Sequence, residues 1–528
     1  MPEREPATAP LPENPIHRRG GPSPSRRALR PALRFHQLVI AGPDIAAPPA
    51  APSRRIARNT GVQIGGGIGA KLLTFAFYIF LARRLGDDRF GDFVFSLSLA
   101  LLVTSVSTLG TDAILTREVA RRPAATRDLF WSGMTVKLTL GAAAVAVAVA
   151  VGIVGGYGRP VEVAIGLFAL TAVLDNLTKA IGAVFQAHDD LWPATLAQLL
   201  ERGFVALAGI ALVAAGAGLV DVAAIYVAGA AAGVAYMVRA LRRRGIGPGP
   251  IRVPRARLRW LVVTSLPVAV GVLFGAILFR LDATILSFIK GNEAVGVYGI
   301  ATQLLESTLF ISFAFVSAMV PTLARLGTDT RPSLGDAYEG ALKVLVTLLL
   351  PIGIGFVFFA RPVIHLLYAG SYSSAVMPMK LIGGAAALYG ISYLSSYLLI
   401  AQGRTMLVGW VTAAVALLNV ALNLALIPRY SFDGAAVTTS ITEAANAILL
   451  VGFCLRETGR ISVFRVGLGP VVGCIGIAGV VAVLGARLGS LAIAAALYLM
   501  LVTATEHLRH PEDLHVALAL LQRRRRVT

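Results

Sequence analysis

The sequence predicts an all-α polytopic membrane protein of about 14 transmembrane helices, arranged as two six-helix parallel-repeat bundles around a central cavity plus a C-terminal helix pair. Three observations carry that expectation. The 528 residues are 56% hydrophobic and only 14% charged, whereas soluble domains hold about 25% charged residues. Apolar runs of about 20 residues, the length that crosses a bilayer, recur from Asn59 to Thr505. An eight-residue pattern between the first two runs returns between the seventh and the eighth. Strand-type alternation is absent from the sequence, which argues against an outer-membrane barrel.

The elements follow in chain order. Residues 1–53 are rich in Pro, Arg and Ala without periodicity, and LVIAG at 38–42 is too short for the apolar core of a signal peptide. They are expected to form a disordered, basic, Pro-rich cytoplasmic tail. Spans at 60–82, 91–114, 129–154, 161–186, 193–216 and 219–240 make an N-terminal six-helix bundle, residues 54–241. A basic cytoplasmic linker occupies 242–259. Spans at 260–288, 295–320, 340–360, 379–401, 405–427 and 433–455 make a C-terminal six-helix bundle, residues 260–456. Spans at 466–485 and 489–506 form an appended helix pair, 457–507, and 508–528 is a basic cytoplasmic tail ending in RRRR. Gly, Pro and charge clusters such as RRLGDDRFG, TREVARRP and RRRGIGPGP mark the boundaries.

Orientation follows from the Lys and Arg of the short loops. One side collects Arg54, Arg55, Arg58, Arg117, Arg121, Arg122 and Arg127, then the Arg-rich 242–259 stretch, Arg404, Arg456 and Arg460. The other side holds scattered residues such as Arg83, Arg84, Arg159 and Lys290. The positive-inside rule then places both termini in the cytoplasm. The same placement explains the net charge of +20 without nucleic acid, because the basic residues lie in tails and loops rather than along a folded face. Cys454 and Cys474 show no metal-ligand spacing. The sequence calls for no cofactor.

The internal echo is GDDRFGDF (Gly86 to Phe93) against GNEAVGVY (Gly291 to Tyr298). Both read G-x-x-x-x-G-x-aromatic, and each opens an even-numbered span. The spans they open end in VAR (119–121) and LAR (323–325). A six-helix unit returns to its starting side, so two such units are related by an axis along the membrane normal.

Ionisable residues at membrane depth normally face protein or water. The candidates for a hydrated, substrate-binding cavity are Lys71 in span one, Lys179 in span four, Arg202 in span five and Arg280 in span seven. Candidates for ion coupling are Asp175, Asp282 and Glu306. Asp175 and Lys179 stand four residues apart and can pair on one helix face. Arg280 and Asp282, two apart, point to nearly opposite faces, so each needs a partner elsewhere. Lys137, beside Trp131, reads as a side chain snorkelling to the interface. Asp112 reads as an organiser of the TREVARR loop, and Glu443 equally as a packing acceptor or as a site residue. Basic groups in a hydrated hollow suit a phosphate-bearing ligand. GGGIGA (65–70) and the Pro267, Gly271, Gly275 series permit both bending and close helix packing.

Several passages resemble bacterial polysaccharide flippases, the Wzx-like or polysaccharide transporter branch of the multidrug/oligosaccharidyl-lipid/polysaccharide exporter superfamily. They are LLNVALNLALIPRYSFDGAAVTTSITEA (417–444), GVYGIATQLLE (296–306), MVPTLARL (319–326) and LYAGSYSSAVMPMKLI (367–382). A glycine-rich first span followed by ARRLGDDRFGDF adds to the likeness, which covers about residues 55–505. The resemblance implies flipping of an undecaprenyl-pyrophosphate-linked oligosaccharide to the outer leaflet by alternating access. The head would enter the basic cavity and the lipid tail would remain in the bilayer. Membrane lipids, a polysaccharide polymerase and other assembly proteins are the implied partner candidates. Lys71, Arg280 and Asp282 are candidates by position, not by a fixed family motif. Rivals in the same superfamily are a lipid II flippase and a drug or cation exporter, the latter expected to show an acid-dominated cavity. A membrane-embedded polymerase or other enzyme is disfavoured by short outer loops and by the lack of a catalytic cluster.

Overall fold

The computed structural model describes residues 54–245, 253–325, 331–368, 370 and 372–509. The expected tails, and part of the expected linker, lie outside these. The described residues are helical throughout, without a strand. In order the helices are α1 (Arg54–Thr104), α2 (Thr111–Arg121), α3 (Thr126–Val154), α4 (Arg159–Gln186), α5 (Trp192–Ala214), α6 (Leu219–Arg243) and α7 (Arg255–Lys290). They continue as α8 (Asn292–Arg325), α9 (Arg331–Tyr368), α10 (Val376–Gly383), α11 (Ala385–Ala401), α12 (Thr405–Thr458), α13 (Val463–Leu484) and α14 (Leu488–Arg509).

Two of these helices double back. In α1 the backbone leaves helical geometry at Gly86 (φ 77°, ψ 174°), a conformation that glycine adopts without a Cβ penalty. Tyr78 and Phe93 then hold ring centroids 5.3 Å apart, where a straight helix would set them about 22 Å apart. In α12 the break falls at Ser431 (φ 52°, ψ −133°), three residues after Pro428, whose missing N–H stops a ladder. Asn419 Nδ2 donates to Thr442 Oγ1 across that hairpin at 3.4 Å, and Asn423 Nδ2 donates to Asn419 Oδ1 at 2.9 Å. The spaced asparagines of the 417–444 passage are therefore its staples. Eleven helices are long and apolar enough to span, and α10 with α11 forms a twelfth unit bent by 43°. Dividing α1 and α12 at their breaks brings the passes among the described residues to fourteen.

Two sequence-based boundaries shift. TREVAR is not a loop: it belongs to α2, which buries Ile114, Leu115 and Val119 on one face. The expected second span is instead interrupted before it, by a 3₁₀ turn at Ser105–Ser107 and by Leu109 and Gly110 at positive φ. Its counterpart α8 runs unbroken from Asn292 to Arg325.

The two echo segments adopt the same shape and meet. Gly291 (φ 84°, ψ 173°) repeats the backbone of Gly86. A Cβ on Gly91 would run into the carbonyl oxygen of Asn292, and one on Gly296 would lie 2.5 Å from that of Asp87. Each second glycine of the pattern thus packs on the residue after the first glycine of the other copy, the reciprocity of a two-fold contact. Phe93 and Tyr298, the aromatic positions, are both fully buried. Hydrogen bonds reinforce this end: Asn292 Nδ2 donates to Asp92 Oδ1 (2.6 Å), and Ser287 Oγ donates to Asn292 Oδ1 (2.5 Å). Arg83 donates to the carbonyls of Leu366 and Leu367 in α9, both at 2.5 Å.

The glycines of GGGIGA divide. A Cβ on Gly66 would strike Thr195, and one on Gly69 would come within 3.3 Å of Leu199, so this face packs on α5. Gly271 and Gly275 in α7 meet nothing within 4 Å, which leaves them outside the packing role. The last pair, α13 and α14, docks on α9: Tyr498 Oη donates to Thr347 O (2.7 Å), and Lys343 pairs with Glu506.

Candidate functional site

Away from the Gly91–Gly296 contact the helices part around a hollow made of neighbouring cavities that share lining residues. Its main chamber, about 480 Å³, is lined by Lys71 (α1), Gln198 (α5), Arg280 (α7), Glu306 (α8) and the tyrosines 389 and 393 (α11). A passage of about 150 Å³ shares Lys71, Arg280 and Glu306 with it and adds Asp175 and Arg202. A side chamber of about 380 Å³ between α4 and α5 shares Asp175 and Arg202 with the passage, and Gln198 with the main chamber. Lys179 opens onto this side chamber. Six of the seven residues expected at a cavity therefore line three neighbouring cavities that share walls. Asp282 is the exception: it is 5% exposed and borders a pocket of about 40 Å³ beside the hollow.

Partners inside this space are set by helix geometry. Arg280 and Asp282 do diverge. Arg280 Nη1 lies 3.1 Å from Glu306 Oε1 on α8, while Asp282 accepts from Tyr298 Oη at 2.5 Å and from the Ala283 backbone N–H at 2.7 Å. Asp175 does not pair with Lys179 as four-residue spacing suggested. Arg202 reaches in from α5 and its Nη2 stands 3.3 Å from Asp175 Oδ2 and 3.2 Å from Glu201 Oε1. Lys179 instead donates to Asn176 Oδ1 at 3.4 Å. One guanidinium nitrogen thus lies between two carboxylates and takes the partner that the ammonium of Lys179 would have had. Lys71 makes no ion pair or hydrogen bond among the described residues, and its side chain is exposed to the hollow.

Two other readings are corrected. Lys137 does not snorkel. It is 1% exposed and holds Asp112 Oδ1 at 2.6 Å and Asn176 O at 3.0 Å. Asp112 accordingly serves this buried pair rather than the loop, and Asn176 extends it by donating to Ser107 Oγ at 2.9 Å. A buried ammonium without a carboxylate would be too costly to keep at that depth, so the pair is obligatory once Lys137 points inward. Glu443 is buried, and its Oε1 lacks a hydrogen bond among the described residues.

Sequence reasoning missed Gln198, Tyr389 and Tyr393, neutral residues without a charge to draw attention in an apolar run. It read Glu201 only as an ionisable residue in the same span as Arg202. Counting four positions forward from Gln198 to Arg202 puts those two on one face.

Comparison with known proteins is decisive at the level of family. Residues 56–327, just over half the chain, match the family described as polysaccharide biosynthesis protein. The chain belongs to that family. A relative within reach by sequence is the probable low-salt glycan biosynthesis flippase of Haloferax volcanii, 21% identical over 170 residues, 32% of this chain and 36% of that protein. Another is the EPS I polysaccharide export inner membrane protein EpsE of Ralstonia solanacearum, 27% identical over 157 residues, 30% of this chain and 36% of that one. The alignments span about a third of each relative's length. Among solved structures, the lipid II flippase MurJ in an inward closed conformation matches with a TM-score of 0.70 at 12% identity, over 84% of this chain and 98% of that one. The MATE multidrug transporter DinF-BH matches with a TM-score of 0.60 at 14% identity, over 77% and 96%. These likenesses establish a polytopic transporter fold for this member of the polysaccharide biosynthesis family. They leave its cargo to the chemistry of the hollow.

Proposed function

We propose that the chain flips an undecaprenyl-pyrophosphate-linked oligosaccharide from the inner to the outer leaflet of a bacterial cytoplasmic membrane, by alternating access. The observation that carries the reading is Lys71. This ammonium faces the 480 Å³ chamber without a counter-ion among the described residues, across from Arg280. Two cations against the single carboxylate of Glu306 leave the chamber one positive charge in excess, which suits a diphosphate and opposes a cationic drug. The glycan-flippase and polysaccharide-export names of the two relatives agree with it.

In this reading residues 54–241 and 260–456 act as two bundles that rock against each other. Both termini lie in the cytoplasm, so the hollow faces the donor leaflet and the glycine seam closes the far side. Lys71 and Arg280 hold the diphosphate, Lys179 and Arg202 lie on the path of the head, and the lipid tail stays in the bilayer. Asp282, Asp175 and Glu306 are the groups available to bind a coupling proton or sodium ion. A polysaccharide polymerase and other assembly proteins would receive the product.

The test is reconstitution. In proteoliposomes carrying a fluorescent undecaprenyl-pyrophosphate-linked sugar and a membrane-impermeant quencher, the wild type should expose lipid from the inner leaflet. Arg280→Ala and Lys71→Ala should each slow this by at least about tenfold, the scale of one lost charge-assisted contact. Wild-type rates in both variants would refute the assignment.

A further inference from the structure

We propose that the side chamber between α4 and α5 is a separate glycan subsite, which takes uncharged sugar hydroxyls while the diphosphate sits at Lys71 and Arg280. The proposal rests on the flippase reading and deepens it. Its first support is the distribution of charge. The main chamber carries an excess cation. The side chamber is lined by Asp112, Asp175 and Glu201 against Lys179 and Arg202, and Lys137 neutralises Asp112 from behind. Three carboxylates therefore meet three cations, so the side chamber lacks the excess positive charge of the main one.

The second support is the kind of polar group present. Thr178 and Gln186 from α4, with Thr195 and Gln198 from α5, project into the same space. They lie at helical spacing, Thr178 to Gln186 across two turns and Thr195 to Gln198 across one. Amides and hydroxyls both donate and accept, which matches a sugar hydroxyl that does the same. Gly182 contributes no side chain between Thr178 and Gln186, so the wall stays open there.

The third is unmet hydrogen-bonding capacity. Thr178 Oγ1, Asp175 Oδ1 and Glu201 Oε1 are buried without a hydrogen bond among the described residues, and Glu201 is only 4% exposed. Glu201 Oε1 has the Arg202 guanidinium beside it, but not in bonding geometry. Buried polar atoms in folded proteins are normally bonded. Three such atoms belong to residues that line this one chamber, where a small shift of the walls around a hydroxyl-rich ligand would give them partners. Gln198, which lines both chambers, stands where the first sugar meets the diphosphate.

The experiment compares two lipids on purified protein in nanodiscs: undecaprenyl pyrophosphate, and the same lipid bearing a single glucose or N-acetylglucosamine. The wild type should bind the sugar-bearing lipid more tightly. Thr178→Val and Gln186→Leu should weaken the sugar-bearing lipid about tenfold and leave the bare diphosphate within about twofold. Retained binding of the bare lipid also certifies that each variant is folded. Lys71→Gln should weaken both lipids alike. Equal loss of both lipids in the chamber variants, or no loss of either, overturns the subsite. A wild type that binds the bare diphosphate without preference for the sugar overturns the subsite and leaves the flippase reading standing. A wild type that binds neither lipid overturns both.

Discussion

The sealed end and the hollow are built from the same helices and could hardly differ more in chemistry. At the sealed end α1 and α8 touch backbone to backbone through Gly91 and Gly296, and the hydrogen bonds there run between a carboxylate and an amide, or from a guanidinium to carbonyls. Toward the other end the same pair of helices carries Lys71 and Glu306, and a Cβ on Gly67 would meet the Phe310 ring at 3.6 Å, an ordinary contact that the backbones leave room for. Close backbone approach is what holds helices together in lipid, where no hydrophobic force favours one apolar partner over another. Charge does the opposite, because each ionised group keeps water and leaves space around itself. Along one interface the sequence thus sets a seam where Gly91 and Gly296 bring the backbones together and a hollow where Lys71 and Glu306 stand.

The largest effect should come from breaking the seam. Gly91→Ala puts a methyl group into the Asn292 carbonyl, a backbone atom that cannot rotate away. Overpacking of this kind costs about 3 kcal/mol, and thermal unfolding in detergent followed by tryptophan fluorescence should show it plainly. Gly299→Ala makes the contrast: its Cβ would meet only the Val94 side chain, at 3.0 Å, which can shift by a fraction of an ångström. If Gly299→Ala costs as much as Gly91→Ala, the seam is not special.

The next effect belongs to the hollow. Arg280→Ala leaves Glu306 without its partner at 3.1 Å, and stripping one member from a partly buried pair should cost about 1–3 kcal/mol. Adding Glu306→Gln removes the stranded charge. The double variant should regain most of the stability and none of the flipping. Recovery of flipping would mean that the pair matters only for packing. Smaller again is Asn292→Ala at the seam, which deletes the donor to Asp92 and the acceptor for Ser287. Those groups sit near the end of the helix, where water can replace the amide, so about 1 kcal/mol is expected from the same melting experiment.

The pattern of what was legible in the sequence follows the same physics. Span positions and the echo were readable because lipid forces long apolar runs, and because Gly86 and Gly291 occupy a backbone region that favours glycine. The cavity residues were readable as a group, since charges at membrane depth must find a cavity or a partner. The pairing within the group was not. Asp175 and Lys179 satisfy the four-residue rule, yet Arg202 arrives from another helix and takes the carboxylate. Lys137 looked peripheral beside Trp131, and only the approach of α2 shows that Asp112 waits for it inside. The interruption of the second span at Ser105–Gly110 was also hidden. The Ser/Thr cluster and Gly110 sit inside an otherwise apolar run that reads as one span, while Thr104, Ser105 and Thr108 hydroxyls bond back to nearby carbonyls and take up the freed backbone.

The smallest effect on stability, and the sharpest divider of seam from hollow, is Lys71→Ala. Nothing among the described residues depends on this ammonium, so its removal strands no carboxylate and opens no packed contact. Unfolding should move by no more than about 0.5 kcal/mol, the range of an exposed substitution. Under the proposed reading flipping should nevertheless fall, as it should in Arg280→Ala. A loss of flipping with stability unchanged would assign this lysine to the ligand. A marked loss of stability in Lys71→Ala would remove that argument and return Lys71 to the scaffold.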